Sequence, residues 1–291
     1  MPELPEVETV RRGLAERIVG DRIDSVWLGQ KPQTFKSPPR VIARALEGAR
    51  IMAVRRMGKH IVVDFRCSKP KSGLLGTPIR PSKPKSGSPG TPMEGGQWII
   101  HLGMTGSLQV TSPQAELLKH THAVVRLASG KEVRFVDPRR FGRMWVASGF
   151  ETAGLEPLQI KLDQFAALFR GRKTPIKSAL LNQKLLRGLG NIYADESLFR
   201  AGIRPRRRAG SLSPDALRRL YRAIRKVLQE AIAAGGSSVS DYFDVDGEPG
   251  LFQTRHRVYG RTGQPCLVCA GSIRRIVVAG RGTHYCPCCQ R

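Results

Sequence analysis

The sequence predicts an α+β protein of more than one domain, β-rich in its first half, helical in its second and stapled at its end by cysteines. Three observations predict this. At 291 residues the chain exceeds one ordinary domain, and 40% hydrophobic residues are enough for real cores. Short β-branched runs between Ile51 and about Val146 give way to helical periodicity from Leu158. Five of the six cysteines fall in the last 26 residues, whereas disulfide scaffolds spread theirs through a short secreted chain.

The elements follow in order. A helix starts near Pro5, with Glu6 and Glu8 in its first turn, Val7, Val10, Leu14 and Ile18 on one face, Arg11, Arg12 and Arg17 later, and Gly20 as its stop. Strands are expected at residues 61–65, 98–102, 123–127 and 133–136, with Ser129 and Gly130 as a hairpin turn. Between the first two runs, SKPKSGLLGTPIRP from Ser68 is followed at once by SKPKSGSPGTPMEG from Ser82. A tandem repeat without periodic apolar positions cannot bury a core, so residues 68–96 read as a disordered insertion in a strand connection, or else as a basic tail. Helices are expected at 163–169, 176–186, 192–199 and 214–234. The last has Ser213 as N-cap, Pro214 in its first turn, Gly235 beyond its end, and an apolar stripe from Leu217 to Ile232 that belongs to a core. From about Val258 the chain is short, Gly-rich and poor in apolar residues, so it needs a staple.

Charge narrows the partner. Lys and Arg number 49 against 23 Asp and Glu, a net charge of +26 that favours a polyanion, nucleic acid first and a membrane surface second. No run of 18 apolar residues occurs, and the first residues lack the basic-then-apolar order of a signal peptide. The expectation is a soluble cytoplasmic protein that does not engage membranes.

The staple is Cys266-x-x-Cys269 followed after 16 residues by Cys286-x-x-Cys289, a spacing that lets two knuckles converge on one tetrahedral zinc. Four sulfur ligands would leave no open position, so this Zn2+ would be structural, one per chain; a pair of disulfides is the alternative. Cys288 is a fifth thiol inside the second knuckle. Between the knuckles, the turn Gly280-Arg281-Gly282-Thr283 could set backbone N–H groups and a guanidinium against phosphates, or be a solvated basic hairpin. Gly190 and Asn191 before a helix suit either a phosphate at the helix N-terminus or an ordinary N-cap. At the start, removal of Met1 would free the secondary amine of Pro2, an α-amine with a pKa near ~8 and hence partly an uncharged nucleophile at neutral pH. Glu3 would then be a carboxyl group one residue away, suited to proton transfer. Pro and Glu are also ordinary helix-start residues.

The segments PELPEVETVRRGL, MGKHIVVDF, HLGMTGSL, DPRRFG, GLGNIYADESLF and VAGRGTHYCPCCQ, in that order, resemble the signature segments of bacterial formamidopyrimidine-DNA glycosylases, and they span nearly the whole chain apart from the insertion. The resemblance implies an N-terminal β-sandwich with flanking helices over residues 1–150, a helix-two-turn-helix module over 151–257 and a zinc finger over 258–291. It implies a monomer acting on damaged double-stranded DNA as glycosylase and apurinic-site lyase. By position it makes Pro2 the nucleophile at the sugar C1′, Glu3 the acid or base, and Lys59 a lysine near the DNA at the active site. It makes Arg281 the finger arginine that reaches phosphates beside the lesion. Met104, Arg139 and Phe141 match residues that fill the duplex where the damaged nucleotide has left. Lys177 matches a base-side or phosphate contact, Asn191 a phosphate contact, and residues 237–252 a mobile loop over the expelled base.

Two other functions remain open at this point. The related endonuclease VIII group, which prefers oxidised pyrimidines, shares the Pro-Glu start and the finger but opens differently after Glu3 and lacks the HLGM and DPRRFG segments. A non-enzymatic DNA-binding protein would share the charge and the finger without needing a proline amine.

Overall fold

The structure is a computed structural model, and it describes residues 1–67, 95–239 and 242–291. These divide into two compact units. One holds residues 1–2, 7–151 and 240–249, the other residues 3–6, 152–239 and 250–291.

The first unit contains most of helix α1 (Leu4–Ile18), the short helix α2 (Pro39–Leu46) and eight strands among its described residues. Strands β1 (Ile23–Leu28), β5 (Ser107–Thr111), β6 (Thr121–Leu127) and β7 (Glu132–Val136) form one antiparallel sheet in the order β1-β6-β7-β5. Strands β2 (Arg50–Met57), β3 (His60–Arg66), β4 (Gly95–His101) and β8 (Arg143–Ala147) form the other, in the order β2-β3-β4-β8. Their inward side chains, among them Ile51, Ile61, Val63, Trp98, Ile100, Val125, Val133 and Phe135, share one core with Val7, Val10, Leu14 and Ile18 of α1. This is the expected sandwich, and the apolar face of the first helix is what it buries.

The duplicated segment mostly lies outside the described residues, which resume at Gly95. Gly95 and Gly96, expected to belong to the insertion, instead open β4 and pair with Arg66 and Phe65. Gly96 is there because a Cβ would stand 2.6 Å from the Phe65 ring. With Arg66 and Gly95 directly opposed, the ends of the segment sit where a tight turn could join them. Replacing residues 67–94 by a two-residue Asn-Gly turn should therefore keep the fold and the base excision that the resemblance implies, because such a turn closes an antiparallel pair. A folded deletion variant that no longer cuts damaged DNA would show that the segment takes part in function.

The second unit holds helices α3 (Leu162–Ala167), α4 (Ile176–Leu181), α5 (Asn191–Ala201) and α6 (Pro214–Ala233), then the hairpin β9 (Arg274–Val278) and β10 (Arg281–Tyr285). Ser213 caps α6 by accepting the Ala216 N–H, and Gly202 ends α5 in the left-handed conformation at φ 69°. Leu220, Ile224, Val227 and Leu228 of α6 pack with Tyr193, Ala194 and Leu198 of α5, the core role expected of that stripe. Helix α4 stops at Leu181 rather than at residue 186, because Asn182 leaves the helical conformation at ψ 105°.

The three expected parts are distributed differently between the two units. Residues 3–6 go with the helices, since Leu4 is buried in their core and donates its N–H to the Gly188 carbonyl at 3.0 Å. Residues 240–249 go with the sheets, since Tyr242 and Val245 are buried in the sandwich core. The cysteine-rich end belongs to the helical unit, where the buried Glu196 carboxylate of α5 accepts the N–H groups of Arg257, Val258 and Tyr259 at 2.9–3.0 Å. Part of the segment expected to be a mobile loop is thus anchored: Ser237 donates its N–H to Glu6 at 2.8 Å, and Val245 and Phe252 are fully or almost fully buried.

Candidate active site and nucleic-acid interface

Pro2 is buried and stands immediately before Glu3, which is 3% exposed. In the second unit the Glu3 Oε1 accepts the Ile192 N–H of the first turn of α5 at 3.3 Å. Gly190 makes room for it, because a Cβ there would stand 2.1–2.5 Å from the Glu3 carboxyl atoms. The Gly190-Asn191 helix start was open to reading as a phosphate site; its partner is the protein's own carboxylate, which suits the positive end of a helix equally well. Glu6 keeps Glu3 in place: its buried carboxyl accepts the Glu3 N–H at 2.7 Å, the Ser237 N–H at 2.8 Å and the Tyr193 hydroxyl. Burial raises the Glu6 pKa, and these three donors partly offset that. Sequence reasoning saw in Glu6 only a helix-start acid. The one available signal was its place in PELPEVE.

The remaining second-unit candidates meet at the hairpin. Asn191 Nδ2 donates to the Gly282 carbonyl at 3.0 Å, and Lys177 Nζ donates to the same oxygen at 3.1 Å. Lys177, expected to touch the DNA directly, is fully buried: its ammonium pairs with Asp195 at 2.6 Å and donates to Thr283 Oγ1 at 2.8 Å. Burial lowers its pKa and Asp195 pushes it back up. Arg281 is exposed. The turn lies two residues earlier than expected, centred on Ala279 and Gly280 with φ 49° and 70°, and Arg281 pairs with Val278 as the first residue of β10. A two-residue hairpin turn of this hand requires positive φ at both central positions, and Gly280 supplies one without strain.

The four cysteines Cys266, Cys269, Cys286 and Cys289 bring their sulfurs within 4.8 Å of one another, with Cys266–Cys289 at 3.8 Å and Cys269–Cys286 at 3.5 Å. Tetrahedral Zn–S bonds of about 2.3 Å place sulfurs about 3.8 Å apart, so this donor set fits one structural zinc. The Cys289 N–H points at Cys286 Sγ, as in a metal knuckle. Cys288 is exposed and outside the cluster.

In the first unit two loops present the three wedge candidates. Asp137 is fully buried and accepts the Thr105 hydroxyl at 2.5 Å and the Gly142 N–H at 2.7 Å, lacing residues 102–106 to 137–142. Gly103 must be glycine: φ is 68°, and a Cβ would stand 2.4 Å from the Phe141 and Gly142 backbone. Above this base Met104 is 38% and Phe141 48% exposed, and the Arg139 guanidinium lies 5.1 Å from the Phe141 ring. Both apolar side chains stand outside the core, as a wedge requires. Lys59 occupies the β2–β3 turn after Gly58, whose φ is 60°. Burial, then the charges of His60 and Lys59, hold His101 down to about 4, so its unprotonated Nδ1 can accept the Gly103 N–H at 3.1 Å.

Phe141→Ala and Met104→Ala should each slow excision of a paired lesion by roughly tenfold or more, since unstacking costs a few kcal/mol, yet spare cleavage of a preformed abasic site. Equal losses on both substrates, measured in parallel, would reduce these residues to packing.

Comparison with known proteins completes the picture. Residues 1–144 match the formamidopyrimidine-DNA glycosylase N-terminal domain, residues 153–242 the formamidopyrimidine-DNA glycosylase H2TH domain, and residues 263–291 the zinc finger found in FPG and IleRS. The chain is 43% identical over 295 aligned residues to the formamidopyrimidine-DNA glycosylase of Solibacter usitatus, and 40% identical over 303 to that of Desulfitobacterium hafniense, with all of both chains covered in each case. Among solved structures, it is similar to MutM (FPG) from Thermus thermophilus, at TM-score 0.80 and 39% identity, covering 99% of this chain and 98% of that one. A complex of Lactococcus lactis Fpg with DNA containing an abasic site matches at TM-score 0.83 and 32% identity, with 99% of both chains covered. With all three domains matched and the likeness running from end to end, this chain belongs to the formamidopyrimidine-DNA glycosylases, the enzymes that remove damaged bases in base-excision repair of DNA.

Proposed function

We propose that the chain excises oxidised purines, 8-oxoguanine and formamidopyrimidines, from duplex DNA through the amine of Pro2. The nitrogen attacks the sugar C1′ as the damaged base departs, a Schiff base forms, and β- and δ-elimination nick the strand. Glu3 moves protons during ring opening, and Lys59 and Arg281 act beside the reacting nucleotide. Met104, Arg139 and Phe141 fill the gap left in the duplex, and Asn191 steadies a phosphate. The observation that carries this reading is the Glu3 carboxyl, enclosed by Gly190 and bonded to Ile192, one residue from Pro2. The amine exists only once Met1 has been removed, since the Pro2 nitrogen is otherwise an amide. Zinc at the four cysteines holds the finger and takes no part in bond breaking. The enzyme acts as a monomer in the bacterial cytoplasm, on the nucleoid, without a membrane; among the described residues no helix is long and apolar enough to cross one.

Borohydride trapping on duplexes carrying 8-oxoguanine, an oxidised pyrimidine or an abasic site tests this. Adducts are expected with 8-oxoguanine and the abasic site, mapped to the Pro2 nitrogen. Preferred trapping on the oxidised pyrimidine would assign the chain to endonuclease VIII-like chemistry, and an adduct at Lys59 would remove Pro2 from its role.

A further inference from the structure

Lys177 is tied inside the protein by one ion pair and two hydrogen bonds. Its ammonium stands 2.6 Å from Asp195 Oδ1 and donates to Thr283 Oγ1 at 2.8 Å and to the Gly282 carbonyl at 3.1 Å. Both Lys177 and Asp195 are 0% exposed, so the ammonium is closed off from a phosphate. The same Asp195 accepts the His284 N–H through Oδ2 at 2.8 Å. Three consecutive residues of β10, Gly282, Thr283 and His284, are therefore held by side chains of α4 and α5. The tie reaches the residue before them as well, because the Thr283 hydroxyl donates to the Arg281 carbonyl at 3.0 Å. The Arg281 carbonyl is thus the near end of this clamp, and the residue is exposed.

We propose that Asp195 is a positioning residue for the phosphate contact of Arg281: with Lys177 as its intermediary it clamps the start of β10, so that the guanidinium is presented to DNA already oriented. This deepens the proposed function and rests on Arg281 contacting phosphate there. Lys177 then acts on DNA indirectly, through the hairpin. The pair fits such a role on general grounds, since a buried charged pair is a poor source of stability but fixes one arrangement among several. Preorganising a long side chain's support raises affinity by lowering what must be ordered on binding.

The test is a set of binding measurements on a duplex with a tetrahydrofuran abasic analogue, which needs no chemistry. It uses full-length zinc-loaded protein. Asp195→Asn keeps an acceptor for the His284 N–H but strands the Lys177 charge. The neutral pair Asp195→Asn with Lys177→Met removes the clamp without a lone buried charge and guards against misfolding. Both are expected to retain one zinc and to bind the duplex roughly tenfold more weakly, and the slope of log K against log salt should fall by about one, the signature of one lost phosphate contact. In an Arg281→Ala background the neutral pair should cause no further loss. Full additivity with Arg281→Ala, or an unchanged salt slope, would overturn the proposal and leave the buried pair a purely structural feature. If the unchanged enzyme bound this duplex but formed no borohydride adduct with the 8-oxoguanine or true abasic-site duplexes, the proposed function would fail while the binding cycle still reported on Asp195.

Discussion

Glu3→Gln is expected to slow base excision by roughly 10²–10⁴-fold, the usual contribution of a placed general acid or base, while duplex binding stays within about threefold. The substitution keeps the shape and keeps an oxygen to accept the Ile192 N–H, now at 3.3 Å, so the start of α5 need not move. What it loses is the proton that Glu3 can give or take. Single-turnover excision of 8-oxoguanine, alongside binding to an uncleavable duplex, separates the two. A variant that excises at the normal rate would show that Glu3 only caps the helix. Gly190→Ala provides a second approach to the same carboxyl, since its Cβ would stand 2.1 Å from the Glu3 Cδ.

Removing zinc should have the other large effect. Structural zinc sites contribute about 10–16 kcal/mol to folding, and the finger has a core of only Phe199, Val258, Cys266, Ile273 and Cys286, with Cys289 against it. Cys289→Ser, or a strong chelator, should therefore unfold the hairpin that carries Arg281. With the phosphate contact proposed for Arg281 lost, DNA binding should weaken by roughly ten- to a hundredfold. Cys288→Ser should keep the metal and bind as before, because its exposed thiol stands outside the four-sulfur cluster. Metal content of the purified variants decides the matter: zinc lost from Cys288→Ser and retained in Cys289→Ser would exchange the roles of the two neighbours.

Much of the architecture was legible wherever one periodicity dominated. The β-branched runs became β3, β4, β6 and β7, and the long stripe after Ser213 became α6 with its cap in place. Strand β1, IDSVWL, was not singled out, because Asp24 and Ser25 are exposed on it and Trp27 stays half exposed, which blurs the alternation. Helix α2 was missed for a different reason: at eight residues between prolines and a glycine it is too short to show a period. The site divides in the same way. The cysteines were legible because their chemistry lies in regularly spaced residues, whereas Pro2 and Glu3, ordinary helix-start residues by themselves, were singled out by the family resemblance. Glu6, Gly190 and Asp195 were not, because their meaning depends on partners that only the fold supplies: Ser237 for Glu6, Glu3 for Gly190, and Lys177 with His284 for Asp195. Lys177 shows the converse case, where a correct position in a motif said nothing about which atoms its ammonium would meet.

The bond between Glu3 and Ile192 also imposes an order on the life of a newly made chain. Its two ends are 189 residues apart in sequence, and the Glu6–Ser237 bond spans 231. At translation speeds of about 5–20 residues per second, the first residues leave the ribosome roughly ten seconds or more before their helical partners exist. During that interval Glu3 and Glu6 lack the partners that hold them, and an aminopeptidase can reach the Met1-Pro2 bond. Once the helices emerge and take up Glu3 and Glu6, the peptide on either side of Glu3 is fixed and the opportunity narrows. If Pro2 is the nucleophile proposed above, activation by trimming belongs to synthesis rather than to the finished enzyme, and a chain that misses it folds around a silent amide.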